Sequence, residues 1–329
     1  MLLQIDRRDI VDAPDPAFRN DVIAGLTARP RAIPARWFYD RRGSELFEAI
    51  TGLPEYYPTR TERALLARHA PEIAAVTGAG RAVVEFGSGS SAKTPLLLGA
   101  VDPAAYVPID ISGEFLRASA ADLGAAFPGL PVLPVEADFT RPITLPAAIG
   151  AAPRLGFFPG STIGNLTAPA AVDLLRAMAG TLGAGQGGDA MLLIGVDRVK
   201  GEDVLIPAYD DAQGITAQFN LNLLHRINRE LGGDVPVDAF RHVARWNVAE
   251  ARIEIHLEAI RDVAFTIEGE CFAIAAGETI HTENSHKYGP RDARLLLRAG
   301  GWTPVAEWTD PDDLFAIILA EARPAAAAP

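Results

Sequence analysis

A doubly wound α/β fold carrying a second α+β lobe is what the sequence predicts, on three observations. Between Arg81 and Asp197 five short apolar runs alternate with helical stretches, the pattern of right-handed crossovers in a parallel sheet covered on both faces. After Asp197 the alternation stops, and period-two runs such as ARIEIHLEAI at 251–260 call for an antiparallel pair with one buried face. From Pro290 the first rhythm returns as a helix followed by two strands.

The elements follow in order. An amphipathic segment is expected from Phe18 to Leu26. Residues 34–63 crowd aromatic side chains among charges and prolines and read as an irregular hydrophobic cap. TERALLARHAPEIAAVT (61–77) is expected to be a helix broken or kinked at Pro71 and stopped by Gly78. The apolar run 81–87 ends in Gly-Ser-Gly-Ser-Ser and leads into a helix over about 92–98. The second run, 105–112, contains Asp110 near its end and hands over to a helix over 114–126. The third, 131–139, closes on Asp138-Phe139, and the fourth, 153–160, leads through Ser161 to Asn165 into a helix over 168–182. The fifth spans 189–197. Beyond it come a helix over 218–231, strands around 242–246, 251–260, 261–267 and 278–285, a helix over 290–299, and strands at 303–308 and 314–320 separated by Asp-Pro-Asp-Asp. The expected division is a sheet domain of 61–198 plus 286–322, a lobe of 14–60 plus 199–285, and a disordered tail at 323–329.

Composition narrows the class of function. With 42 acidic against 30 basic residues the net charge is −12, which repels phosphate backbones and anionic lipid. A general nucleic-acid binder and a membrane-surface protein are disfavoured. The single cysteine, Cys271, permits neither an internal disulfide nor a thiolate zinc site and argues for a reducing compartment, by default the cytoplasm. Neither the charged N-terminus nor any later stretch predicts secretion or a membrane span. The six histidines form no HxH or HxxxH pair, so no metal site is expected. Only three of the 30 basic residues are lysines.

The glycine turn after the first strand brings backbone N–H groups close to a ligand where strand order reverses. Glu85-Phe-Gly87-Ser-Gly89 lacks both the GxGxxG fingerprint and the GK[ST] of a phosphate loop, so di- and triphosphates are disfavoured. Acids end the neighbouring strands instead. Lys93 lies a few residues beyond the glycines, where an ammonium can reach a ligand carboxylate. Each acid also has a purely local reading, a helix cap for Asp110 and a turn for Asp138.

Glu85-x-Gly87-x-Gly89 with Asp110 and Asp138-Phe139 resembles the class I S-adenosylmethionine-dependent methyltransferases, whose core is a Rossmann-like sheet. The resemblance implies that Gly87 and Gly89 lie against the amino-acid part of the cofactor, Asp110 accepts the ribose hydroxyls, and Asp138 and Phe139 contact the adenine. Longer strings are more specific: Trp37-Phe-Tyr39-Asp40, Gly43-Ser-Glu-Leu-Phe47, Leu53 to Glu62, Phe158 to Asn165, Ala208 to Asp211, Phe219-Asn220 and Thr282 to Tyr288. In these the chain is similar to the histidine-specific methyltransferases that make hercynine on the way to ergothioneine.

That resemblance implies successive transfer of three methyl groups to the amine of free L-histidine through its mono- and dimethylated forms. It implies that Asn165 and Tyr209 hold the carboxylate, that Tyr39 and Tyr56 lie near amine and imidazole, that Gly160 offers a backbone contact, and that Glu283 and Ser285 read the imidazole. Tyr39 is also assigned to the cofactor and, with a water, to the departing proton. Little base strength is needed, because a free α-amino group titrates near ~8. Tyr39 and Phe47 offer π-faces to the cationic product. Ile255 departs from the family, which commonly has methionine there, and this leaves tryptophan or tyrosine open as alternative acceptors. A monomer is expected.

Overall fold

The computed structural model describes residues 15–89, 93–141, 143–184 and 189–322. The expected disordered tail at 323–329, together with Ser90 and Ser91 of the serine run, falls outside them.

In chain order the described elements begin with α1 (Pro16–Thr27), β1 (Arg31–Ala32), a 3-10 turn over Ala35–Phe38, α2 (Arg41–Thr51) and α3 (Tyr57–Thr77). The alternating region follows as β2 (Ala82–Phe86), α4 (Thr94–Val101), β3 (Ala105–Asp110), α5 (Gly113–Ala126), β4 (Val135–Glu136), β5 (Arg154–Phe158), a 3-10 turn over Thr162–Asn165, α6 (Ala168–Thr181) and β6 (Ala190–Asp197). Then come α7 (Glu202–Tyr209), α8 (Ile215–Leu231), β7 (Phe240–Asn247), β8 (Arg252–Ala259), β9 (Val263–Ile267), β10 (Glu270–Ile274) and β11 (Thr279–His286). The chain closes with α9 (Pro290–Ala299), β12 (Trp302–Thr309) and β13 (Phe315–Ala322).

By compactness the chain forms two units. One draws on Met1–Leu46, Gly214–Ala244 and Ile255–Glu283, the other on Phe47–Gln213, Arg245–Glu254 and Asn284–Pro329. These limits differ from those expected from chain order: residues 47–60 and 199–213 belong with the large sheet.

The second unit holds a seven-stranded sheet in the order β12-β13-β6-β5-β2-β3-β4. Strands β6, β5, β2, β3 and β4 are parallel, while β13 runs antiparallel to β6 and β12 antiparallel to β13. From β2 the chain winds outward to β3 and β4, then returns to β5 on the other side of β2. The switch point therefore falls at the carboxyl ends of β2 and β5. Every residue of β2 and β6 is buried, as expected for strands covered on both faces. One face packs Val83, Tyr106, Phe157 and Leu193 with Leu65 and Leu66 of α3 and Leu97 of α4. The other packs Val84, Val107, Phe158 and Ile194 with Leu174 and Leu175 of α6 and Leu297 of α9. Trp302 fixes that side further by donating its indole N–H to the Leu175 carbonyl at 2.9 Å.

Four expectations are corrected. The third apolar run yields only the two-residue β4 and a single bridge from Val132 to Tyr106. Pro131 and Pro134 offer no N–H to a ladder, which confines this segment to the sheet edge. Residues 41–51, read as irregular, form α2, capped by Asp40, whose carboxylate accepts the Gly43 N–H at 2.7 Å. Pro71 sits inside α3 without ending it. Helix α7 and strand β10 went unanticipated.

The first unit is built on α1, α8 and strands of a four-stranded sheet ordered β1-β11-β8-β7, with the hairpin β9–β10 beside it in sequence. Its aromatic residues make a core: Phe18 against Trp37 at 5.0 Å and Phe38 against Phe219 at 4.7 Å between ring centres. Arg226 of α8 lies 4.5 Å from the Phe18 ring centre and donates to the Trp37 carbonyl at 2.9 Å.

Gly164 allows the 3-10 turn 162–165 to rest on the residues after Asn284. A Cβ there would stand 2.8 Å from the His286 carbonyl oxygen. Gly164→Ala is expected to cost about 1–3 kcal/mol of stability by overpacking, read as a lower urea midpoint with an unchanged slope.

Candidate active site

Of the cofactor residues expected from the sequence, Gly87, Gly89, Lys93, Asp110, Asp138 and Phe139 lie in the second unit, on the segments that follow β2, β3 and β4, while Tyr39 belongs to the first. Gly87 and Gly89 follow β2 with φ of 72° and 49°, the left-handed region in which side chains are strained. The Gly87 N–H donates to the Ile109 carbonyl at 2.8 Å, and the Gly89 N–H donates to Asp110 Oδ2 at 3.0 Å, so the loop is tied to the end of β3. A Cβ on Gly87 would lie 3.1 Å from the Phe139 ring. That ring stands edge-on to Phe158, with centroids 5.8 Å apart. Gly87, Gly89, Asp110 and Phe139 are thus brought together, with Asp138 next in the chain.

Both local readings of the acids are present as well. Asp110 Oδ1 accepts the Ser112 N–H at 2.9 Å, and Asp138 Oδ1 accepts the N–H and hydroxyl of Thr140 at 2.9 and 2.6 Å. A bare glycine turn, two carboxylates and an aromatic ring fit hydroxyls, a purine and a sulfonium cation; Arg141, 3.9 Å from Asp138, is itself paired with one of those carboxylates.

Lys93 pairs with Glu62, a residue the sequence reading did not single out. Glu62 is 1% exposed and also accepts the Gly160 N–H at 2.8 Å through Oε2 and 3.1 Å through Oε1. It comes from α3, one turn and a half beyond Tyr56. Gly195 on β6 leaves room for it, since a Cβ there would lie 2.0 Å from Oε1. Glu62 therefore holds the fourth-strand loop and the post-glycine turn to one helix.

Of the residues expected to meet the acceptor, Tyr56, Tyr209 and Ser285 gather in a second cluster of this unit. Tyr56 packs edge-on between Phe47 at 6.4 Å and Tyr209 at 6.0 Å. The Tyr209 hydroxyl and Ser285 Oγ are 2.8 Å apart. Asn165 ends the 3-10 turn that Gly164 and His286 hold, His286 Nδ1 lying 2.8 Å from the Gly164 carbonyl. Beneath lies a group of buried charges that sequence reasoning missed. Asp197, 1% exposed at the end of β6, accepts from the Tyr57 hydroxyl at 2.8 Å, from Lys200 at 2.6 Å and from Lys287 at 2.7 Å. Burial and the adjoining Asp197 carboxylate push the Tyr57 hydroxyl far up, so it stays protonated. Burial lowers the Lys200 ammonium to about 8 against the opposing pull of Asp197.

In the first unit, Tyr39 follows the 3-10 turn 35–38 with its ring 5.7 Å from Phe219. The next residue of α8, Asn220, is 1% exposed. It accepts the Thr282 hydroxyl at 2.9 Å and donates to the His256 carbonyl at 3.0 Å, while Thr282 also donates to the Ile255 carbonyl at 3.1 Å. Helix α8 thereby fixes the backbone on which Ile255 and Glu283 sit. Ile255 is buried and Glu283 half-buried. Among the described residues no group of three His, Cys, Asp or Glu side chains is arranged to hold a metal ion, and no helix is long and apolar enough to cross a membrane.

A switch-point glycine turn flanked by strand-end carboxylates on a sheet closed by an antiparallel strand defines a class I methyltransferase domain. Residues 18–322 match the family model described as histidine-specific methyltransferase, SAM-dependent. The chain is 43% identical to the histidine N-alpha-methyltransferase of Mycolicibacterium smegmatis, over 97% of this chain and 99% of that one. It is 42% identical to the protein of the same name from Mycobacterium tuberculosis, over 94% and 96%. It is 30% identical to ergothioneine biosynthesis protein 1 of Neurospora crassa, over 97% of this chain and 37% of that longer protein. The chain belongs to the histidine-specific methyltransferase family, and S-adenosylmethionine is its cofactor.

Glu85 is fully enclosed, accepting from Tyr106 at 2.5 Å and Thr94 at 2.7 Å, and burial raises its carboxyl to about 7 despite those two donors. Between the ordinary carboxylate range and that value the folded state keeps a proton the unfolded chain has released, so stability falls as pH rises through this window. Glu85→Gln carries no such loss. Between pH 4 and pH 8 it is expected to gain about 3 kcal/mol relative to the wild type, measured by urea unfolding at both pH values. A difference independent of pH would mean that Glu85 is ionised in the fold.

Proposed function

We propose that this enzyme methylates the α-amino group of free L-histidine three times, through the mono- and dimethylated forms, to give hercynine for ergothioneine synthesis. The observation that carries this reading is the near-full-length identity to two histidine N-alpha-methyltransferases. The bound cofactor supplies an electrophilic methyl on a sulfonium. The protein's task is alignment: a displacement at carbon needs nucleophile, methyl and leaving group in line, and the amine unprotonated.

Each residue then has a role. Gly87, Gly89 and Lys93 serve the methionine part of the cofactor, Asp110 the ribose, and Asp138 with Phe139 the adenine. Lys93 acts from its pairing with Glu62, so its ammonium is held beside the loop rather than left to swing. Asn165 and Tyr209 hold the substrate carboxylate, and Gly160 adds a backbone contact. Tyr56 borders the amine and imidazole. Tyr39, also in contact with the cofactor, takes up the amine proton with a water, and with Phe47 it offers π-faces to the growing cation. Glu283 and Ser285 read the imidazole, a ring with a donor N–H that a carboxylate meets well. Ile255 forms a branched wall for the side chain. The protein is taken to act as a monomer in the cytoplasm and on neither nucleic acid nor membranes, a reading supported by the net charge of −12 and the single cysteine.

Mass spectrometry of the purified protein with S-adenosylmethionine and a panel of free amino acids tests the assignment. Histidine is expected to gain one, two and three methyl groups. Trimethylation of tryptophan or tyrosine with histidine untouched would move the assignment to those acceptors, by way of Ile255. Glu283→Ala is expected to lower kcat/KM for histidine by on the order of 100-fold, as befits loss of a charge-assisted hydrogen bond, with cofactor affinity retained. Equal loss of both would make Glu283 a folding residue.

A further inference from the structure

Of the chain's 30 basic residues only three are lysines, at 93, 200 and 287. Arginine fills the rest, from exposed positions such as Arg41 and Arg141, 95% and 80% exposed, to buried ones such as Arg198 at 2%. The lysines lie inside. Their side chains are 14%, 8% and 0% exposed, and each pairs with a carboxylate that is 1% exposed, Glu62 for Lys93 and Asp197 for the other two. A guanidinium is a planar fork with five donors, whereas an ammonium is a compact charge with three donors at tetrahedral angles. In a chain that otherwise uses arginine, lysine stands where the compact geometry is needed.

Lys287 shows what that geometry achieves. Its three N–H groups meet three acceptors at 2.7 Å each: Asp197 Oδ2, the Tyr209 hydroxyl and Ser285 Oγ. Backbone bonds hold it in place, since its own N–H donates to the Ala251 carbonyl at 2.7 Å and the next N–H, of Tyr288, to the Asp197 carbonyl at 2.8 Å. Both hydroxyl oxygens accept from the ammonium, and one hydroxyl donates to the other across their 2.8 Å contact; with Ser285 as that donor, the Tyr209 oxygen accepts twice and its own proton is not used within the group. A donor hydroxyl held by an ammonium suits a carboxylate ligand.

We propose that Lys287 is a positioning residue for the amino-acid acceptor: anchored by Asp197, its ammonium and the Ser285 hydroxyl together occupy the Tyr209 oxygen and set the Tyr209 hydroxyl as a hydrogen-bond donor to the substrate carboxylate. This rests on the assignment of Tyr209 to the substrate carboxylate under the proposed function.

The test is steady-state kinetics on Lys287→Met with histidine varied, beside calorimetric binding of S-adenosylhomocysteine to the enzyme without histidine. The KM for histidine is expected to rise roughly 30-fold, in line with losing charge-assisted donors, while affinity for S-adenosylhomocysteine stays within about threefold. In a Tyr209→Phe background the same substitution is expected to cost less than about threefold, because Lys287 acts through that hydroxyl. An unchanged KM, or equal costs in the two backgrounds, overturns the proposal. Should the lone methionine prevent folding by stranding Asp197, Lys287→Met with Asp197→Asn removes both charges, and its KM is compared with that of Asp197→Asn alone. A wild-type protein that methylates a different amino acid and shows the same KM loss for it would strike out histidine and leave Lys287 in its role. A wild-type protein active on histidine with KM unmoved by the substitution would strike out Lys287 alone.

Discussion

The buried carboxylate of Asp197 is the constraint on which the acceptor half of the sheet-bearing unit depends. It stands at the carboxyl end of β6, a strand with no exposed residue, and water cannot solvate it. The fold answers with donors drawn from three separate segments: Tyr57 at the start of α3, Lys200 after β6, and Lys287 beyond β11. Ser161 Oγ, accepting the Asp197 N–H at 2.9 Å, adds the loop after β5. Removing one partner from such a group typically costs ~3–5 kcal/mol because a charge is left uncompensated, even where the intact group contributes little net stability. The arrangement therefore specifies where those segments meet more than it adds to stability, and the residues assigned to the acceptor are carried on them.

Helix α3 links this group to the cofactor loop. Tyr56 and Tyr57 sit at its first turn, and Glu62 lies five residues beyond Tyr57, far enough along the helix to reach the loops after β2 and β5. One rigid element thus touches the aromatic cluster, the Asp197 group and the Lys93–Gly160 junction. In-line transfer tolerates little error in the placement of two ligands, and a shared helix reduces the independent motions between their supports. Pro71 in the same helix does not break that continuity, because it falls beyond Glu62 and toward the far end.

Much of the sheet was legible because parallel strands buried on both faces leave continuous apolar runs, and those of β2, β3, β5 and β6 lie within the expected segments. Edge and boundary elements were less so. Strand β4 shrank because its prolines cannot join a ladder, and α2 was hidden because aromatic residues packed elsewhere masked a short helix started by Asp40. The cofactor loop and strand-end acids could be read from spacing, since they follow the sheet rhythm. The Asp197 group could not, because residues 57, 197, 200, 209, 285 and 287 share no local pattern and meet only through tertiary structure. A signal was nonetheless present: in a chain with ten times as many basic residues as lysines, all three lysines stand at buried ion pairs, a setting they share with a few arginines such as Arg198.

Asp110 illustrates why a local and a functional reading of one acid need not compete. A carboxylate offers about four acceptor positions on two oxygens. The Ser112 N–H takes one on Oδ1 and the Gly89 N–H one on Oδ2, so the helix start and the glycine loop each use a different oxygen. Capacity remains on both for a vicinal pair of hydroxyls, the chemistry a ribose presents. The two backbone bonds also fix the plane of the carboxylate, so its acceptors are oriented before any ligand arrives and less side-chain entropy is lost on binding. In the role proposed for Asp110, the cap is then part of how the carboxylate would meet its ligand. An alanine at 110 would release the loop and the helix start together, whereas an asparagine, with one acceptor oxygen, would keep only one of the two bonds and set its amide N–H groups against the other backbone donor.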